Sequence, residues 1–230
     1  MSAYFVAGTD TDIGKTLVAS ALLQHFNRQG RSTIGFKPIA AGCENTAKGL
    51  RNQDALSLLQ HSNIGPNGVS GGLAPAYNDI NPFAFEPPIA PHIAAKLVGQ
   101  TITTAALAQA YQPIKAFNCD ITIVEGAGGW CLPINDNEFL YQWVNDEQFE
   151  VILVVGIKLG CLNHALLTQA FIQSQGLTLV GWVANKVCPQ MANIDENIAT
   201  LEQHLNAPLL ATIPWLEDHQ RDGLVVDFAI

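Results

Sequence analysis

The stretch VAGTDTDIGKTLVAS, residues 6–20, decides the fold, because it joins an apolar strand to a helix through a loop that contains glycine. Its end, Gly14-Lys15-Thr16, matches the last part of the phosphate-binding pattern G-x-x-x-x-G-K-[ST]. In that motif the backbone N–H groups at a helix N-terminus bind an anion. The stretch therefore predicts a nucleotide site, in which Lys15 reaches the β- and γ-phosphates and Thr16 offers its hydroxyl to Mg²⁺.

Two features set this phosphate loop apart from the usual pattern. Five residues separate Gly8 from Gly14 where the pattern has four, and Thr9 stands where the first glycine is expected. The loop also carries Asp10 and Asp12, whose negative charge would repel phosphate. We expect both carboxylates to face away from the phosphates, toward metal-bound water or the amino groups of a second substrate.

Composition limits the classes of function. The chain has 230 residues, of which 48% are hydrophobic, so it is long enough for a buried core and fits a single domain over 1–230. A net charge of −9 argues against a nucleic-acid partner, and no apolar run is long enough to span a membrane. The five cysteines form no C-x-x-C pair, and no signal peptide is recognisable, which predicts a cytoplasmic protein with reduced thiols.

The order of strand and helix patterns predicts an α/β fold. Short apolar runs alternate with helical patterns, which is typical of a mostly parallel central β-sheet with helices on both faces. The predicted strands are 4–8, 32–38, 120–126, 151–156, 179–185 and 209–214, and predicted helices include 15–30, 54–62, 162–176 and 194–206. We expect strand 32–38 to lie beside the phosphate-loop strand 4–8.

One segment, 63–91, interrupts this alternation with many glycines and prolines. Loops of this length in compact domains are usually functional or disordered. Tyr77, Phe83 and Phe85 favour an ordered loop that borders the site, and disorder of the first half is the competing interpretation.

Polar residues end the apolar strands, at the sheet edge where ligands of parallel α/β proteins bind. Glu125, followed by GAGG, is placed like an acid that holds Mg²⁺, although it could also form only a salt bridge. Asp54 could join it or serve as a helix N-cap. Lys37 could neutralise an anionic intermediate, or it could be a lysine at the protein surface.

The sequence NKVC, residues 185–188, bears on which base is bound. It resembles the guanine-binding pattern N-K-x-D, but Cys188 replaces the aspartate and is a poor hydrogen-bond acceptor. Asn185 offers a donor and an acceptor to adenine, or it is a turn asparagine. Pro214 and Trp215 either pack on the base or close the core.

Taken together, the sequence resembles the dethiobiotin synthetase family over nearly its whole length. The blocks that carry the resemblance are GTDTDIGKT, GFKPIAAG, NQDALSL, PHIAA, VEGAGGW, VILVVGIKLGCLNHALLT, GWVANKV and IPWL, in the order of the family. The resemblance implies a P-loop NTPase-like fold and a homodimer. It also implies an Mg²⁺- and ATP-dependent ligase that uses CO₂ to close the ring of dethiobiotin on 7,8-diaminononanoate.

The matched motifs also imply residue roles. Catalysis would involve Lys37, Lys15 and Thr11, and Mg²⁺ would be bound by Thr16, Asp54 and Glu125. The diamine would contact Lys37, Ala41 and, across a dimer interface, Asn163. The nucleotide would be bound by Asp12, Ile13, Gly14, Lys15, Thr16, Leu17, Asp54, Glu125, Gly126, Ala127, Gly128, Asn185, Pro214 and Trp215.

The chain departs from the family at two positions near the expected diamine site. Ala41 and Ala90 stand where serine is common, so two hydroxyls are missing. The alternative function is that of a partitioning or positioning ATPase related to ParA and MinD. Those proteins have a signature lysine in the phosphate loop at the position where this chain has Asp10, and an acid cannot replace it.

Overall fold

The computed structural model describes residues 2–64, 74–217, 220 and 224–230. Strands and helices alternate along most of this chain. In order they are β1 Ser2–Gly8, α1 Lys15–Arg28, β2 Thr33–Phe36, β3 Ile39–Ala41, β4 Glu44–Thr46, β5 Gly49–Arg51, α2 Gln53–His61, α3 Tyr77–Ile80, β6 Phe83–Phe85, α4 Pro91–Leu97, α5 Thr104–Ala116, β7 Ile121–Glu125, α6 Leu140–Asp146, β8 Glu150–Gly156, α7 Cys161–Ser174, β9 Leu179–Asn185, α8 Ile194–His204 and β10 Leu209–Ile213.

The centre of the molecule is a six-stranded sheet with the order β10-β9-β8-β1-β7-β2. Every neighbouring pair of these strands is parallel. The side chains of β2, β7 and β8 are nearly all buried, as expected for a sheet covered on both faces. The predicted α/β fold and all six predicted sheet strands are confirmed, with no boundary shifted by more than two residues.

Two apolar clusters cover the two faces of the sheet. On one face, Val18 and Leu22 of α1 pack with Leu58 of α2 and with the C-terminal Phe228. On the other face, a larger cluster takes residues from α5, α6, α7 and α8 and includes the fully buried Trp143. Because helices cover both faces, the edge at the carboxyl ends of the strands stays open, and the loops at this edge form the site.

The sheet order corrects one expectation. We expected the strand before Lys37 to lie beside the phosphate-loop strand, but β7 lies between β2 and β1. The chain leaves β1, crosses by α1 to the edge strand β2, and fills the gap only later with β7. Glu125, the last residue of β7, therefore lies between the phosphate loop and Lys37.

Short elements outside the main sheet were not predicted. Strands β3 and β6 pair in parallel, and β4 and β5 form an antiparallel pair. The second half of segment 63–91 forms α3 and β6 and reaches the cavity described below, so this part of the predicted ordered loop is confirmed. Residues 65–73, where we weighed disorder, lie outside the described residues. Within the described part of the chain, no helix is long and apolar enough to cross a membrane.

Candidate active site

One large cavity opens at the carboxyl ends of β1, β7 and β2, with a volume of about 1160 Å³. It collects residues that are far apart in the sequence, from the phosphate loop, α2, the loop after β7 and segment 88–91. Of the residues implicated by sequence, its lining includes Thr11, Asp12, Gly14, Lys15, Thr16, Leu17, Lys37, Ala41, Asp54, Glu125, Ala127 and Gly128. Most of the predicted site is therefore brought to one place.

The phosphate loop ends at Gly14, in a backbone conformation that residues other than glycine rarely adopt. Gly14 has φ 86°, in the left-handed region, and immediately precedes α1. A Cβ at this position would lie 2.2 Å from Nδ2 of Asn185. That same Nδ2 donates a hydrogen bond of 2.7 Å to the carbonyl oxygen of Ile13. Asn185, the last residue of β9, thus holds the backbone of the phosphate loop through this hydrogen bond.

Lys15 is folded back onto the loop from which it comes. Its Nζ donates a 2.7 Å hydrogen bond to the carbonyl oxygen of Asp10, and the residue is only 7% exposed. Burial, together with the nearby charge of Lys37, lowers the pKa of Lys15 to about 8. A bound triphosphate would supply the negative charge that this ammonium lacks in the free protein.

The two acids of the loop have different partners. Asp10 accepts hydrogen bonds at one carboxylate oxygen from the backbone N–H of Thr11 (2.8 Å) and at the other from Nζ of Lys158 (2.7 Å). Asp12 is exposed, has φ 55°, and lines the cavity. Asp10 is absent from the lining, so only Asp12 remains a candidate to contact a ligand directly.

Lys37 lies at the centre of a cluster of charged groups, in which Lys37 and Glu125 are buried and Asp54 is half-buried. Its Nζ is 2.6 Å from Oε1 of Glu125, 2.9 Å from Oδ2 of Asp54, and 3.1 Å from the carbonyl oxygen of Gly126. Thr16 donates its hydroxyl to the same Oε1 at 2.8 Å. Because a lysine ammonium has three N–H donors, these three acceptors use all of them.

The cluster decides between two pairs of alternatives left by the sequence. Lys37 is 3% exposed, so the interpretation as a surface lysine is wrong. Asp54 is not the N-cap of α2, because Asn52 precedes the helix and its side chain accepts from the backbone N–H groups of Asp54 and Ala55. The carboxylate of Asp54 is thereby free to face the cavity.

The protonation states follow from burial and pairing. Burial alone would lower the pKa of Lys37, but Glu125 and Asp54 outweigh it and raise that pKa, so the ammonium stays charged. Burial also opposes ionisation of Asp54, yet Lys37, Thr16 and Lys15 together lower its pKa. Burial raises the pKa of Glu125 despite the ion pair with Lys37.

The donor set fits Mg²⁺. Thr16, Asp54 and Glu125 offer hydroxyl and carboxylate oxygens, the ligands that this ion prefers. Oε2 of Glu125 is buried and has no hydrogen-bond partner, so it is an acceptor that a cation would satisfy. Across the described ranges, no group of three or more His, Cys, Asp or Glu could hold a metal ion. The set therefore suits an ion that also takes ligands from a substrate phosphate.

Several predicted site residues lie away from the cavity lining. Asn163 is exposed in the first turn of α7. Pro214 and Trp215 follow β10 and are exposed, with Trp215 at 44%, so they do not close the core. Asn185 is buried beneath the loop, 5% exposed, and is therefore not a surface turn residue.

Sequence reasoning missed one wall of the cavity, between α1 and α2. It is formed by Ser20, Gln24, Ser57, His61 and Leu224. Ser20 and Gln24 follow Thr16 at intervals of four residues, and Ser57 and His61 continue in the same way from Gln53, so these residues share a helix face with the site. Helical spacing could have found them, but nothing in the sequence places Leu224 there.

Comparisons with known proteins agree with this geometry. A family model described as an AAA domain matches residues 2–222. The chain is 48% identical over 94% of its length to an "ATP-dependent dethiobiotin synthetase BioD" of Pseudoalteromonas translucida, covering 92% of that protein. It is 47% identical over 97% of its length to the protein of the same name from Vibrio campbellii, covering 94% of it.

Two solved structures have the same fold at low identity. They are MinD of Pyrococcus horikoshii (TM-score 0.58, 15% identity, 93% of this chain and 81% of that one) and a ParA family ATPase of Chlorobium tepidum (0.56, 14%, 96% and 87%). At these identities the likeness extends to the fold alone and gives no support to a partitioning function. On its sequence relatives, the chain belongs to the dethiobiotin synthetase family.

Proposed function

We propose that this protein is an ATP-dependent dethiobiotin synthetase, which joins CO₂ to 7,8-diaminononanoate and closes the ureido ring. The observation that carries the proposal is the convergence of Lys37, Thr16, Asp54 and Glu125 on one cavity beside the phosphate loop. This arrangement suits transfer of a phosphoryl group between two anions, because it supplies fixed positive charge and oxygen ligands for a metal.

The chemistry has three stages. One amine of the substrate adds to CO₂ and loses a proton, which gives a carbamate. An oxygen of the carbamate then attacks the γ-phosphorus of ATP, ADP leaves, and a carbamic–phosphoric anhydride results. The second amine attacks the carbonyl carbon, loses its proton and closes the ring as phosphate leaves. The protein mainly positions the reactants and neutralises their charge, as in other phosphoryl transfers.

The site residues divide this work between them. Lys15 would leave the Asp10 carbonyl to bind the β- and γ-phosphates, and the backbone N–H groups up to Gly14 would cradle them. Thr16, Asp54 and Glu125 would hold Mg²⁺, which supplies further positive charge for the phosphates. Lys37 must give up at least one of its three present acceptors before it can donate to the carbamate or the transferring group.

The diamine would occupy the opposite end of the cavity. There Ala41, Ala90 and Leu132 line the wall, with Thr11 and Gly128 toward the phosphate loop. A wall with few polar groups suits the hydrocarbon chain of the diamine. Thr11 would orient one amine. Ala41 and Ala90 have no hydroxyl, so they would donate no hydrogen bond to the diamine.

A homodimer would complete the diamine site. Asn163 is exposed on α7, and the same helix region exposes two large apolar residues, Leu159 at 93% and Leu167 at 62%. Such residues are typical of a face that packs on another copy. In this proposal residues 1–230 act as one ligase domain in the cytoplasm, where the five free cysteines stay reduced, without a nucleic-acid or membrane partner.

Incubation of the protein with 7,8-diaminononanoate, bicarbonate, Mg²⁺ and ATP tests the proposal, with mass spectrometry of the products. We expect a product that has gained CO₂ and lost water, with one ADP and one phosphate released per ring closed. A matched reaction without the diamine, and one with the Lys15→Met variant, should release neither ADP nor phosphate. Hydrolysis of ATP that does not depend on the diamine, with no new product, would refute the assignment.

A further inference from the structure

The ion pair between Asp10 and Lys158 is not explained by the proposed catalytic cycle. Asp10 lies inside the phosphate loop, and Lys158 lies two residues after the end of β8. Their charged atoms are 2.7 Å apart, and neither residue lines the cavity. An acid in a loop that binds a polyanion is unfavourable unless its charge is neutralised.

The geometry shows what Asp10 does for the loop. One carboxylate oxygen accepts from the backbone N–H of Thr11, and the residue's carbonyl oxygen accepts from Nζ of Lys15. Asp10 therefore orients both the backbone before the phosphate site and the lysine that serves it. This arrangement also places the negative charge of Asp10 within one Debye length, about 8 Å, of the Lys15 ammonium. That charge would weaken the binding of phosphate.

Lys158 is positioned to neutralise the negative charge of Asp10. The loop packs on the end of β8, since the N–H of Thr9 donates to the carbonyl of Val154 and Ile13 packs on Gly156. Lys158 follows these contacts and reaches the second carboxylate oxygen of Asp10. Its hydrogen bond is the largest cause of the lowered pKa of Asp10, ahead of the bond from Thr11.

We propose that Lys158 is a positioning residue for the triphosphate of ATP, which acts by neutralising Asp10 and holding it against the loop. The inference rests on the proposed function, since it needs ATP at the phosphate loop. Both side chains of the pair are more than one-third exposed, at 38% and 43%. The pair therefore contributes little to folding stability, and its role is expected to appear in ligand binding.

A set of variants tests this role: Lys158→Met, Lys158→Arg, Asp10→Asn, and the double variant Asp10→Asn/Lys158→Met. Calorimetry measures the Kd of ATP and of inorganic tripolyphosphate, and steady-state assays separate kcat from the KM of the diamine. We expect Lys158→Met to weaken both anions by about three- to tenfold, as for loss of one nearby charge at the surface. Its kcat at saturating ATP and its thermal stability should match the wild type.

Rescue is the decisive result. Lys158→Arg keeps the charge and should bind like the wild type, and the double variant should recover to within about twofold because the unpaired acid is gone. Added salt should shrink the deficit of Lys158→Met. If Lys158→Met binds ATP normally, or the double variant is as weak as Lys158→Met, the inference is wrong. Lys158→Gln repeats the test if the Met variant folds poorly. A wild-type protein that binds neither anion would overturn the proposed function itself.

Discussion

The two ends of the cavity are built in different ways. At the phosphate end, buried polar contacts fix nearly every group: Lys37 uses three donors, Asn185 supports the loop, and Gly14 occupies a conformation closed to other residues. The part where we place the diamine includes Ala41 and residues 88–91, which line the cavity with side chains that carry no polar group. The comparison shows that charge is preorganised where phosphoryl transfer would occur, while the second substrate is left to be recognised by shape and a few hydrogen bonds.

The largest expected effect concerns Lys37. Lys37→Ala removes the fixed cation between a carbamate and a triphosphate, so turnover should fall by roughly 10²-fold or more, the scale seen for loss of one preorganised electrostatic partner. The affinity for ATP alone should change much less. Lys37→Gln keeps the length of the side chain and removes its charge, so it separates packing from electrostatics. Near-normal turnover of the Gln variant would contradict the assigned role.

Lys37→Ala should also lower the stability of the fold. The side-chain volume that it removes is small and would by itself leave the fold intact. Glu125, however, is 1% exposed and would lose its cation, and breaking a buried pair costs about 3–5 kcal/mol. The pKa of Glu125 is already raised in the folded protein, so protonation of Glu125 stabilises the folded state. This contribution to the free energy of unfolding is lost as pH rises. Denaturant unfolding should therefore show a larger deficit for the variant at pH 8 than at pH 5.

The second largest effect is expected for substitution of Asn185, on the affinity for ATP. The resemblance implies that it contacts adenine, whereas the structure has its Nδ2 bonded to Ile13 in the phosphate loop. If support of the loop dominates, Asn185→Ala should weaken ATP and inorganic tripolyphosphate alike, by roughly 1–3 kcal/mol for an unsatisfied buried carbonyl. Asn206→Ala, in an exposed loop, is the control. Loss of ATP affinity with unchanged tripolyphosphate affinity would assign Asn185 to the base instead.

This residue shows where sequence reasoning reaches its limit. The motif predicted the loop, and strand ends predicted Lys37 and Glu125, because such positions follow from local pattern and the parallel sheet. Partners set by tertiary contacts did not follow: Asn185 beneath Ile13, Lys158 on Asp10, and the position of β7 between β1 and β2. Sheet order in particular depends on packing across the whole chain, which a local pattern does not record.

A smaller effect at the phosphate end should appear in the pH dependence of binding. The pKa of Lys15 is about 8 in the free protein, and a triphosphate beside it would raise that value. Below pH 8 the lysine is charged with or without ATP, so this group adds no pH dependence to the affinity. Above pH 8 binding must take up a proton, and Kd should rise by at most about tenfold per pH unit. Calorimetry in buffers of different ionisation enthalpy measures that uptake, and its absence at pH 9 would contradict the lowered pKa.

The smallest effect is expected at the apolar end. Ala41 ends β3 and lines the cavity, at a position where the family commonly has serine. Ala41→Ser adds one hydroxyl on the side where we place the diamine, and one hydrogen bond is worth about 0.5–1.5 kcal/mol, or roughly two- to tenfold in a binding constant. The KM of the diamine should fall by that factor, while the Kd of ATP stays the same, because the phosphate end is already complete without Ala41. Ala105→Ser, on the exposed side of α5, is the matched control and should change neither constant. A variant that binds the diamine less well would mean that another group already fills the space beside Ala41, and a change in ATP affinity would mean that the two ends of the cavity are not independent.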